Sequence, residues 1–210
     1  MSAVDSLPAV TGLILAGGRG SRMGGVDKGL QPYKGKPLAL NALQRLHAQD
    51  MPLARVMVNA NRNTAIYQGW GVPVCPDTLE GYAGPLAGFL TGLTLCATPW
   101  LLTVPCDSPR FPLQLLSRLY SAVRREGADI AMANALEEDG QWHAQPVFCL
   151  MRSTLRESLH AFTSHGGRKI DAWTGLHHTV MVPFDAPGDD PMAFFNANTL
   201  AQLQQLDSHA

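Results

Sequence analysis

The sequence predicts an α/β protein: a single domain, residues 1–210, folded as a three-layer α/β/α structure with a mostly parallel sheet. Apolar, β-rich runs alternate with amphipathic runs along most of the chain, as they do where helices cover a parallel sheet. No repeat, low-complexity tract or long linker divides the 210 residues into separate units. Residues 1–9 precede the first apolar run, and we expect them to form a flexible N-terminal tail.

The first half of the chain opens with an apolar run, residues 10–16, that ends abruptly in glycines and predicts a buried parallel strand. Pro37 suits the first position of a helix that reaches about residue 47, because leucines there recur on one helical face. The following runs predict strands at 55–60 and 72–75, a short helix at 64–68, and a helix that begins at 84–86.

The second half continues the alternation with a strand at 100–104, which Pro105 ends. A helix from 112 to 125 and a strand at 129–133 follow. The last third is less regular. Its apolar and amphipathic runs predict a strand at 145–150, a helix at 154–162, a strand at 179–182 and a tail helix at 199–206.

Composition excludes several classes of protein. Hydrophobic residues make up 46% and charged residues 16% of the chain, which is typical of a folded globular protein. The net charge of −1 gives no sign of a nucleic-acid partner or an anionic membrane. No apolar stretch is long enough to span a membrane, and the N-terminus lacks the features of a secretory signal. The four cysteines form no Cys-x-x-Cys pair, so we expect reduced thiols and a cytoplasmic location.

The most informative segment is the glycine-rich loop at 17–29, which follows the first strand and contains the cations Arg22 and Lys28. Glycines let backbone N–H groups approach an anion, and the two cations supply the charge that a polyphosphate requires. A Walker loop is excluded because Gly25 and Val26 follow Gly24. The loop resembles that of nucleotidyltransferases; the alternative is a glycine-rich turn with surface charges.

A dinucleotide-binding fingerprint can also be excluded from the same loop. Its first two glycines are present at Gly18 and Gly20, but Met23 stands where the third glycine belongs. The loop is therefore longer than either of these familiar phosphate-binding loops, and it ends in Asp27-Lys28.

Polar residues follow several predicted strands, at the edge where open α/β sheets bind ligands. Asp107 stands directly after the fourth strand, where its carboxylate could bind Mg²⁺ together with triphosphate oxygens. The alternative is an Asx-turn or helix-capping aspartate. Asp77 could accept hydrogen bonds from the N1–H and N2–H₂ edge of guanine, or could be a turn residue. Asn59 could contact base or ribose, or could have a capping role.

Three further elements remain open at this stage. The helix start at 84–88 could direct free N–H groups at a ligand, or could be only a proline-initiated helix. The loop at 166–169 is glycine-rich and basic, suited to the phosphate of a second substrate through Arg168 and Lys169, or simply solvated. Asn196 and Asn198 precede the tail helix, where Asn198 could be only the N-cap.

Two other residue types are given structural roles. His177 and His178 do not have metal-ligand spacing on a helix, so we interpret them as surface or partly buried imidazoles. Cys106 adjoins Asp107 but has no evident base or cation partner in the sequence, and we assign it to packing.

Taken in order, these motifs resemble the molybdenum cofactor guanylyltransferases over nearly the whole chain. The glycine loop alone is shared with broader nucleotidyltransferases, whereas the ordered set is more specific. The matching segments are Leu15-Ala16-Gly17-Gly18, 22–30, 58–62, 84–88, 105–109, 145–147 and Asn196-Ala197-Asn198-Thr199. The family pattern usually continues with Thr-Pro-Glu, whereas Leu200 and Ala201 follow Thr199 here, which bears on the capping of the tail helix.

The resemblance implies a Rossmann-like nucleotidyltransferase fold and an enzyme that joins GMP from GTP to molybdenum-molybdopterin. The products would be the guanine dinucleotide cofactor and pyrophosphate, with Mg²⁺ held by Asp107. Catalysis would involve Arg22, Lys28 and Asp107, and the pterin side would involve Arg168, Lys169, Asn196 and Asn198. Molybdenum-insertion proteins and molybdoenzyme chaperones are possible partners. Nucleotide binding would fall on Leu15, Ala16, Gly17, Gly18, Lys28, Asn59, Asp77 and Asp107.

Three alternatives remain open. A cytidylyltransferase that makes the cytosine dinucleotide cofactor would have a similar opening loop, although the form Leu15-Ala16-Gly17-Gly18 favours guanine by resemblance. A sugar-phosphate nucleotidylyltransferase would share the fold and the loop. A non-catalytic molybdopterin carrier would not need a triphosphate site, so Arg22, Lys28 and Asp107 argue against that alternative.

Overall fold

The computed structural model describes residues 8–16, 26–79, 84–137, 139–197, 199 and 202–203. Within these residues the strands are β1 (Val10–Leu15), β2 (Pro32–Tyr33), β3 (Lys36–Pro37), β4 (Arg55–Asn59), β5 (Val74–Cys75), β6 (Trp100–Pro105), β7 (Ile130–Leu136), β8 (Trp142–Arg152) and β9 (Thr179–Pro183). The helices are α1 (Leu38–His47), α2 (Thr64–Gln68), α3 (Pro85–Leu95), α4 (Leu115–Glu126), α5 (Arg156–Ser164) and α6 (Ile170–Thr174), with 3₁₀ turns at Lys28–Leu30 and Ser153–Leu155.

A seven-stranded sheet forms the centre of the molecule, in the order β5-β4-β1-β6-β8-β7-β9. Strand β8 runs antiparallel to both of its neighbours, and the other pairings in this sheet are parallel. Helices α1 and α4 pack on one face, and α3, α5 and α6 pack on the other. The predicted three-layer fold with a mostly parallel sheet is therefore confirmed.

Burial on both faces explains why β1 has no alternating polar positions. Val10 and Ile14 belong to the hydrophobic core under α1 and α4, whereas Leu13 belongs to the core under α3. All three side chains are fully buried. A central parallel strand covered by helices on each side needs apolar residues at successive positions, which is the pattern that the sequence shows.

The carboxyl ends of the central strands lie in register. Leu15, the last residue of β1, pairs with Asn59 of β4 on one side and with Pro105 of β6 on the other. Asn59 in turn pairs with Cys75 of β5. Because the chain moves outward from β1 to β4 and β5 and then crosses back to β6, a topological switch point lies between β1 and β6. Such a point opens a crevice beyond the strand ends.

A small antiparallel hairpin, β2 paired with β3, was not predicted from the sequence. Pro37 belongs to β3 and precedes the first helix, which begins at Leu38 rather than at Pro37. Lys34 and Gly35 form the turn with φ values of 48° and 73°. The side-chain amide of Asn41 donates to backbone carbonyls of the hairpin, including Tyr33 at 3.1 Å, so a tertiary contact stabilises strands too short to show a period of two.

Helix α4 begins at Leu115, three residues later than predicted, for a similar reason. The Gln49 side chain donates to the Pro112 carbonyl at 2.9 Å and accepts from the Leu116 N–H at 2.9 Å. These two bonds hold the segment before α4 as a turn against the end of α1. Helix α6 was also missed, since its five residues are too few to establish a helical period.

Several predictions fall outside the described part of the chain. These concern Gly17, Gly18, Arg22 and Asn198, most of the N-terminal tail, and most of the tail helix. No helix among the described residues is long and apolar enough to cross a membrane.

Candidate active site

An ion pair between Lys28 and Asp107 lies at the switch point of the sheet. Lys28 is the first residue of the 3₁₀ turn at the end of the glycine-rich loop. Asp107 comes two residues after the end of β6. The Lys28 Nζ donates to Asp107 Oδ2 across 79 residues of sequence. The two side chains are 20% and 17% exposed, so the pair is sheltered but reachable by a ligand in the crevice. The Asp107 carboxylate therefore pairs with a cation from a distant part of the chain, and its capping role stays an open alternative from the sequence.

The position of Lys28 depends on Asp27, a buried carboxylate that the sequence did not indicate as functional. Asp27 accepts hydrogen bonds from the Gly29 N–H at 3.1 Å, the Tyr67 hydroxyl at 2.7 Å and the Asn63 side-chain amide at 3.0 Å. Burial and the bond to Asp27 raise the pKa of Tyr67, so its hydroxyl remains a donor. With three donors around it, Asp27 caps the 3₁₀ turn and fixes the backbone that bears Lys28.

The absence of a side chain at Gly29 lets the 3₁₀ turn pack closely against Tyr67, Ala16 and Ala39. A Cβ at Gly29 would lie 2.5 Å from the Tyr67 hydroxyl and 3.3 Å from the Cβ atoms of Ala16 and Ala39. No larger residue fits there without movement of the Tyr67 side chain that holds Asp27. Asp27-Lys28-Gly29 is thus a packed unit. Asp27 caps the turn, Lys28 pairs with Asp107, and Gly29 leaves space for the Tyr67 hydroxyl.

A second polar group gathers around Asp77, on the β5 side of the crevice. The Asn59 side-chain amide donates to Asp77 Oδ1 at 2.9 Å and to the Cys75 carbonyl at 3.0 Å. The Asn61 amide donates to Asp77 Oδ2 at 2.8 Å, and Asn61 Oδ1 accepts from the Asp77 N–H at 2.7 Å. Asp77 is thus held by two amides from the end of β4 rather than by bonds within its own turn. Asn61 was not selected from the sequence, because no pattern signals a pairing of this kind.

Helix α3 approaches this group closely through Gly88. A Cβ at Gly88 would lie 2.6 Å from Asn59 Oδ1 and 2.6 Å from Leu15 Cδ2. The helix begins at Pro85, as expected for a proline-initiated helix, and its first turn lies at the carboxyl edge of the sheet. The absence of a side chain at Gly88 therefore allows the first turn of α3 to contact the ends of β1 and β4.

The C-terminal segment supports the Asp107 loop from the other side. The Ser108 hydroxyl donates to Asn196 Oδ1 at 2.6 Å, and the Ala197 N–H donates to the Asp107 carbonyl at 3.0 Å. Asn196 is therefore a neighbour of the candidate site, and its pterin-side role stays a prediction.

The tail helix begins with a capping box. The Gln202 N–H donates to the Thr199 hydroxyl at 3.1 Å, and the Thr199 N–H donates to Gln202 Oε1 at 3.1 Å. This reciprocal pair places Thr199 in the N-cap position of a capping box. The alternative role of Asn198 as the N-cap concerns a residue outside the described part of the chain.

Arg168 and Lys169 are exposed on the segment that joins α5 to α6. The two glycines before them have packing reasons: Gly166 has a φ of 85°, and a Cβ at Gly167 would lie 2.3 Å from the Phe162 ring. A tight turn packed on Phe162 accounts for the two glycines. The pterin-side role of the two cations stays a prediction.

Cysteine and histidine residues have structural roles in the described part of the chain. Cys106 is buried in the core under α1 and α4, as its assignment to packing predicts, and this burial raises the pKa of its thiol. All four cysteines are free thiols. His177 is partly buried and its Nε2 lies 2.9 Å from the Ser158 hydroxyl, whereas His178 is exposed, as expected.

The residues around Asp107 are compatible with Mg²⁺ bound jointly with a substrate. No group of three or more His, Cys, Asp or Glu side chains among the described residues could hold a metal on its own. Mg²⁺ commonly uses one or two carboxylates, with phosphate oxygens and water as the other ligands. A single partly exposed carboxylate beside a lysine fits that kind of site.

Comparison with known proteins identifies the family. A family model described as a MobA-like NTP transferase domain matches residues 12–210. The molybdenum cofactor guanylyltransferase of Acidovorax sp. is 64% identical, with 94% of this chain and 95% of that protein covered. The corresponding proteins of Albidiferax ferrireducens and Bordetella petrii are 62% and 59% identical, and each comparison covers at least 94% of both chains.

Solved structures show the same fold at low identity. The molybdopterin-guanine dinucleotide biosynthesis protein A of Archaeoglobus fulgidus has a TM-score of 0.75 at 19% identity, with 95% of this chain and 97% of that chain covered. The 4-diphosphocytidyl-2C-methyl-D-erythritol synthase of Anaerococcus prevotii also reaches 0.75, at 8% identity and with 96% of each chain covered. From its sequence relatives and its fold, this chain belongs to the molybdenum cofactor guanylyltransferase family and is a nucleotidyltransferase.

Proposed function

We propose that this enzyme transfers GMP from GTP to molybdenum-molybdopterin, giving the guanine dinucleotide cofactor and pyrophosphate. The principal structural observation in support is the pairing of Lys28 with Asp107 at the switch point, a cation and a carboxylate that a Mg²⁺–triphosphate requires. The relatives at 59–64% identity, which are named guanylyltransferases, support the choice of nucleotide.

The reaction requires no protein nucleophile. The terminal phosphate of molybdopterin attacks the α-phosphorus of GTP in line, the new P–O bond forms, and the bond to pyrophosphate breaks. Enzymes accelerate such transfers by positioning the reactants and by neutralising charge. Lys28 would bind oxygens of the triphosphate and stabilise the pyrophosphate as it leaves, together with the Arg22 predicted from the sequence.

Asp107 would hold Mg²⁺, which when bound offsets the charge of the triphosphate and orients it. In the present arrangement, Lys28 compensates the charge of that carboxylate. Binding of the nucleotide would exchange partners: Asp107 would turn to the metal, and Lys28 would turn to the phosphates. Both groups already lie at the crevice, so this exchange requires only side-chain movement.

Base recognition is assigned to Asp77 and Asn59. A carboxylate can accept the two parallel donors of the guanine edge, and a base lacking those donors leaves the carboxylate unpaired, which penalises the wrong nucleotide. Molybdenum-insertion proteins and molybdoenzyme chaperones are proposed as the donors and recipients of the pterin. Cytoplasmic location stays a prediction from the sequence.

Calorimetric titration of the protein with GTP, CTP and ATP, each with and without Mg²⁺, tests the nucleotide assignment. We expect Mg²⁺-dependent binding with a clear preference for GTP. A preference for CTP would instead assign the enzyme to the cytosine dinucleotide cofactor and would overturn the role of Asp77 in reading guanine. Binding of none of the three nucleotides would contradict the proposal and favour a molybdopterin carrier.

The second substrate needs a separate assay. Incubation with Mg²⁺–GTP and either molybdenum-molybdopterin or a panel of sugar phosphates should release pyrophosphate only with the pterin. Turnover with a sugar phosphate and not with the pterin would overturn the proposed acceptor and would favour a sugar-phosphate nucleotidylyltransferase.

A further inference from the structure

The contact between Asn61 and Asp77 is reciprocal. The Asn61 amide nitrogen donates to Asp77 Oδ2 at 2.8 Å, and the Asn61 carbonyl oxygen accepts from the Asp77 backbone N–H at 2.7 Å. Two bonds between one side chain and one residue fix both the backbone and the carboxylate of Asp77. A single bond would leave the carboxylate free to rotate about that contact.

The two asparagines around Asp77 differ in what else they do. Asn59 is 3% exposed, lies at the end of β4 and also donates to the Cys75 carbonyl, so it ties the edge of the sheet together. Asn61 is exposed on the bend after β4. The reciprocal pair with Asp77 gives this polar side chain a specific task that the packing of the core does not require.

The lone pairs of the Asp77 carboxylate show how many hydrogen bonds it can still accept from a ligand. Each carboxylate oxygen has two lone pairs. Asn59 uses one on Oδ1 and Asn61 uses one on Oδ2. Counting the hydrogen bonds made by the described residues, one acceptor position therefore remains on each oxygen of Asp77. Two neighbouring acceptors on a fixed carboxylate match a base edge with two parallel N–H donors.

We infer that Asn61 is a positioning residue for base selection: it holds Asp77 in the orientation that reads a purine carrying both an N1–H and a 2-amino group. This inference rests on the proposed function, in which Asp77 contacts the base. Asn61 acts through Asp77 and does not touch the reacting atoms. Its loss therefore affects discrimination between bases that differ at these two donors more than it affects the phosphate chemistry.

Inosine triphosphate is the appropriate probe, because it keeps the N1–H of guanine and lacks only the 2-amino group. Wild-type protein should bind Mg²⁺–GTP at least about tenfold more tightly than Mg²⁺–ITP, since a hydrogen bond to a charged group distinguishes them. In Asn61→Asp and Asn61→Ala this ratio should fall towards one, through weaker binding of GTP. Calorimetric titration at one Mg²⁺ concentration measures both affinities without the pterin.

Gln68→Ala is the control variant, since Gln68 is an exposed amide at the end of α2 and its side chain is not one of the two amides that hold Asp77, so it should retain the wild-type ratio. Thermal unfolding checks that every variant is folded. Asn61→Asp keeps an acceptor for the Asp77 N–H but puts a like charge where the donor to the carboxylate was. Asn61→Ala removes both bonds to Asp77 without adding charge, so a loss of preference shared by the two variants is not due to charge alone.

The outcomes separate this inference from the proposed function. If wild-type protein prefers GTP to ITP and both Asn61 variants keep that preference, the role of Asn61 is wrong and the proposed function stands. If wild-type protein binds GTP and ITP equally, or prefers CTP, the base-reading role of Asp77 is wrong and the inference fails with it. A lower ratio in Asn61→Asp and Asn61→Ala, with Gln68→Ala unchanged, supports the inference.

Discussion

At the scale of single residues, the site is built from charged groups that are each held by a named partner. Lys28 and Asp107 neutralise one another, while Asp27 behind them is buried and accepts three hydrogen bonds. The charges of Lys28 and Asp107, which we propose bind the substrate, are therefore partly exposed, whereas the Asp27 charge is buried. This division fits a site whose reacting groups exchange partners while their support remains still.

Asp107→Asn tests the charge that the reaction requires. The amide keeps the size of the side chain and a hydrogen-bond acceptor, but removes the negative charge proposed to hold Mg²⁺. We expect pyrophosphate release to fall by about 10²–10³-fold, as when one preorganised electrostatic contact is lost. Steady-state kinetics with GTP and the pterin measure this, with Asp185→Asn as an exposed control. Near-normal turnover in Asp107→Asn would show that the metal is held elsewhere.

Tyr67→Phe tests the support of the Asp27-Lys28 turn. Removing the hydroxyl takes one donor from a buried carboxylate, which should lower the free energy of unfolding by about 1–3 kcal/mol. Urea unfolding at neutral pH measures this, and Tyr120→Phe, whose ring packs on Trp100, is the control.

Tyr67→Phe should also change how the free energy of unfolding depends on pH under alkaline conditions. The pKa of Tyr67 is raised in the folded state, because burial and Asp27 disfavour the phenolate. Its contribution to stability is therefore fully present below the unfolded pKa of about 10 and is lost as pH rises above it. Wild-type protein should lose stability above about pH 10 more steeply than Tyr67→Phe does. Parallel pH profiles for the two proteins would contradict the buried role of the hydroxyl.

At the scale of secondary structure, the proposed nucleotide site depends on the contact of α3 with the sheet. The helix contains two buried glycines that face strands, Gly88 near its first turn and Gly92 one turn later. A Cβ at Gly92 would lie 2.5 Å from Leu13 Cδ2, whereas a Cβ at Gly88 would lie 2.6 Å from Asn59 Oδ1. An added Cβ would be similarly crowded at the two positions. It would press on leucine side chains at Gly92, but on the Asn59 amide as well as Leu15 at Gly88.

Gly88→Ala and Gly92→Ala therefore form a matched pair. Both should lower the free energy of unfolding by about 1–3 kcal/mol, because each crowds a packed helix–sheet interface. Only Gly88→Ala should weaken Mg²⁺–GTP binding, by about tenfold, since it displaces the amide that holds Asp77. Urea unfolding and calorimetric titration measure the two effects. Equal loss of GTP affinity in both variants would mean that general loosening, and not Asn59, is responsible.

At the scale of the whole molecule, the C-terminal segment connects the core to the Asp107 loop. Phe194 is buried between Phe148 and Phe184, with ring centroids 4.9 and 5.1 Å away. Two and three residues further on, Asn196 and Ala197 bond to the loop that contains Asp107. Packing around Phe194 therefore helps to fix the Asp107 carboxylate, which lies in the middle of the chain.

Phe194→Ala tests this connection. Loss of a buried phenylalanine should cost about 3–5 kcal/mol, and pyrophosphate release should fall further than the unfolded fraction explains, because the Asp107 loop loses its support. Leu159→Ala removes a buried side chain from the core on the opposite face and is the control. Turnover per folded molecule is the measured quantity. If the two variants lose it equally, the C-terminal segment has no specific role at the site.

Much of the fold could be predicted because it depends on local patterns. Uninterrupted apolar runs identify β1 and β6, and the polar residues that follow them mark the edge where a ligand binds. The β2–β3 hairpin was missed and the start of α4 was misplaced. The conformation of the hairpin is held by Asn41, a side chain of α1. The conformation before α4 is held by Gln49, which lies just beyond the end of α1. Such contacts leave no periodic signal.

The sequence alone determined the alternation of strands and helices, the glycine loop and the set of charged residues that a nucleotide requires. Tertiary structure alone decided which of these residues meet. The sheet order brings Lys28 to Asp107 and the end of β4 to Asp77, and the close packing of Tyr67 over Gly29 sets Asp27 in place. The physical reason is that local periodicity reports which face a residue buries, whereas contacts across tens of residues depend on how strands pair and helices pack.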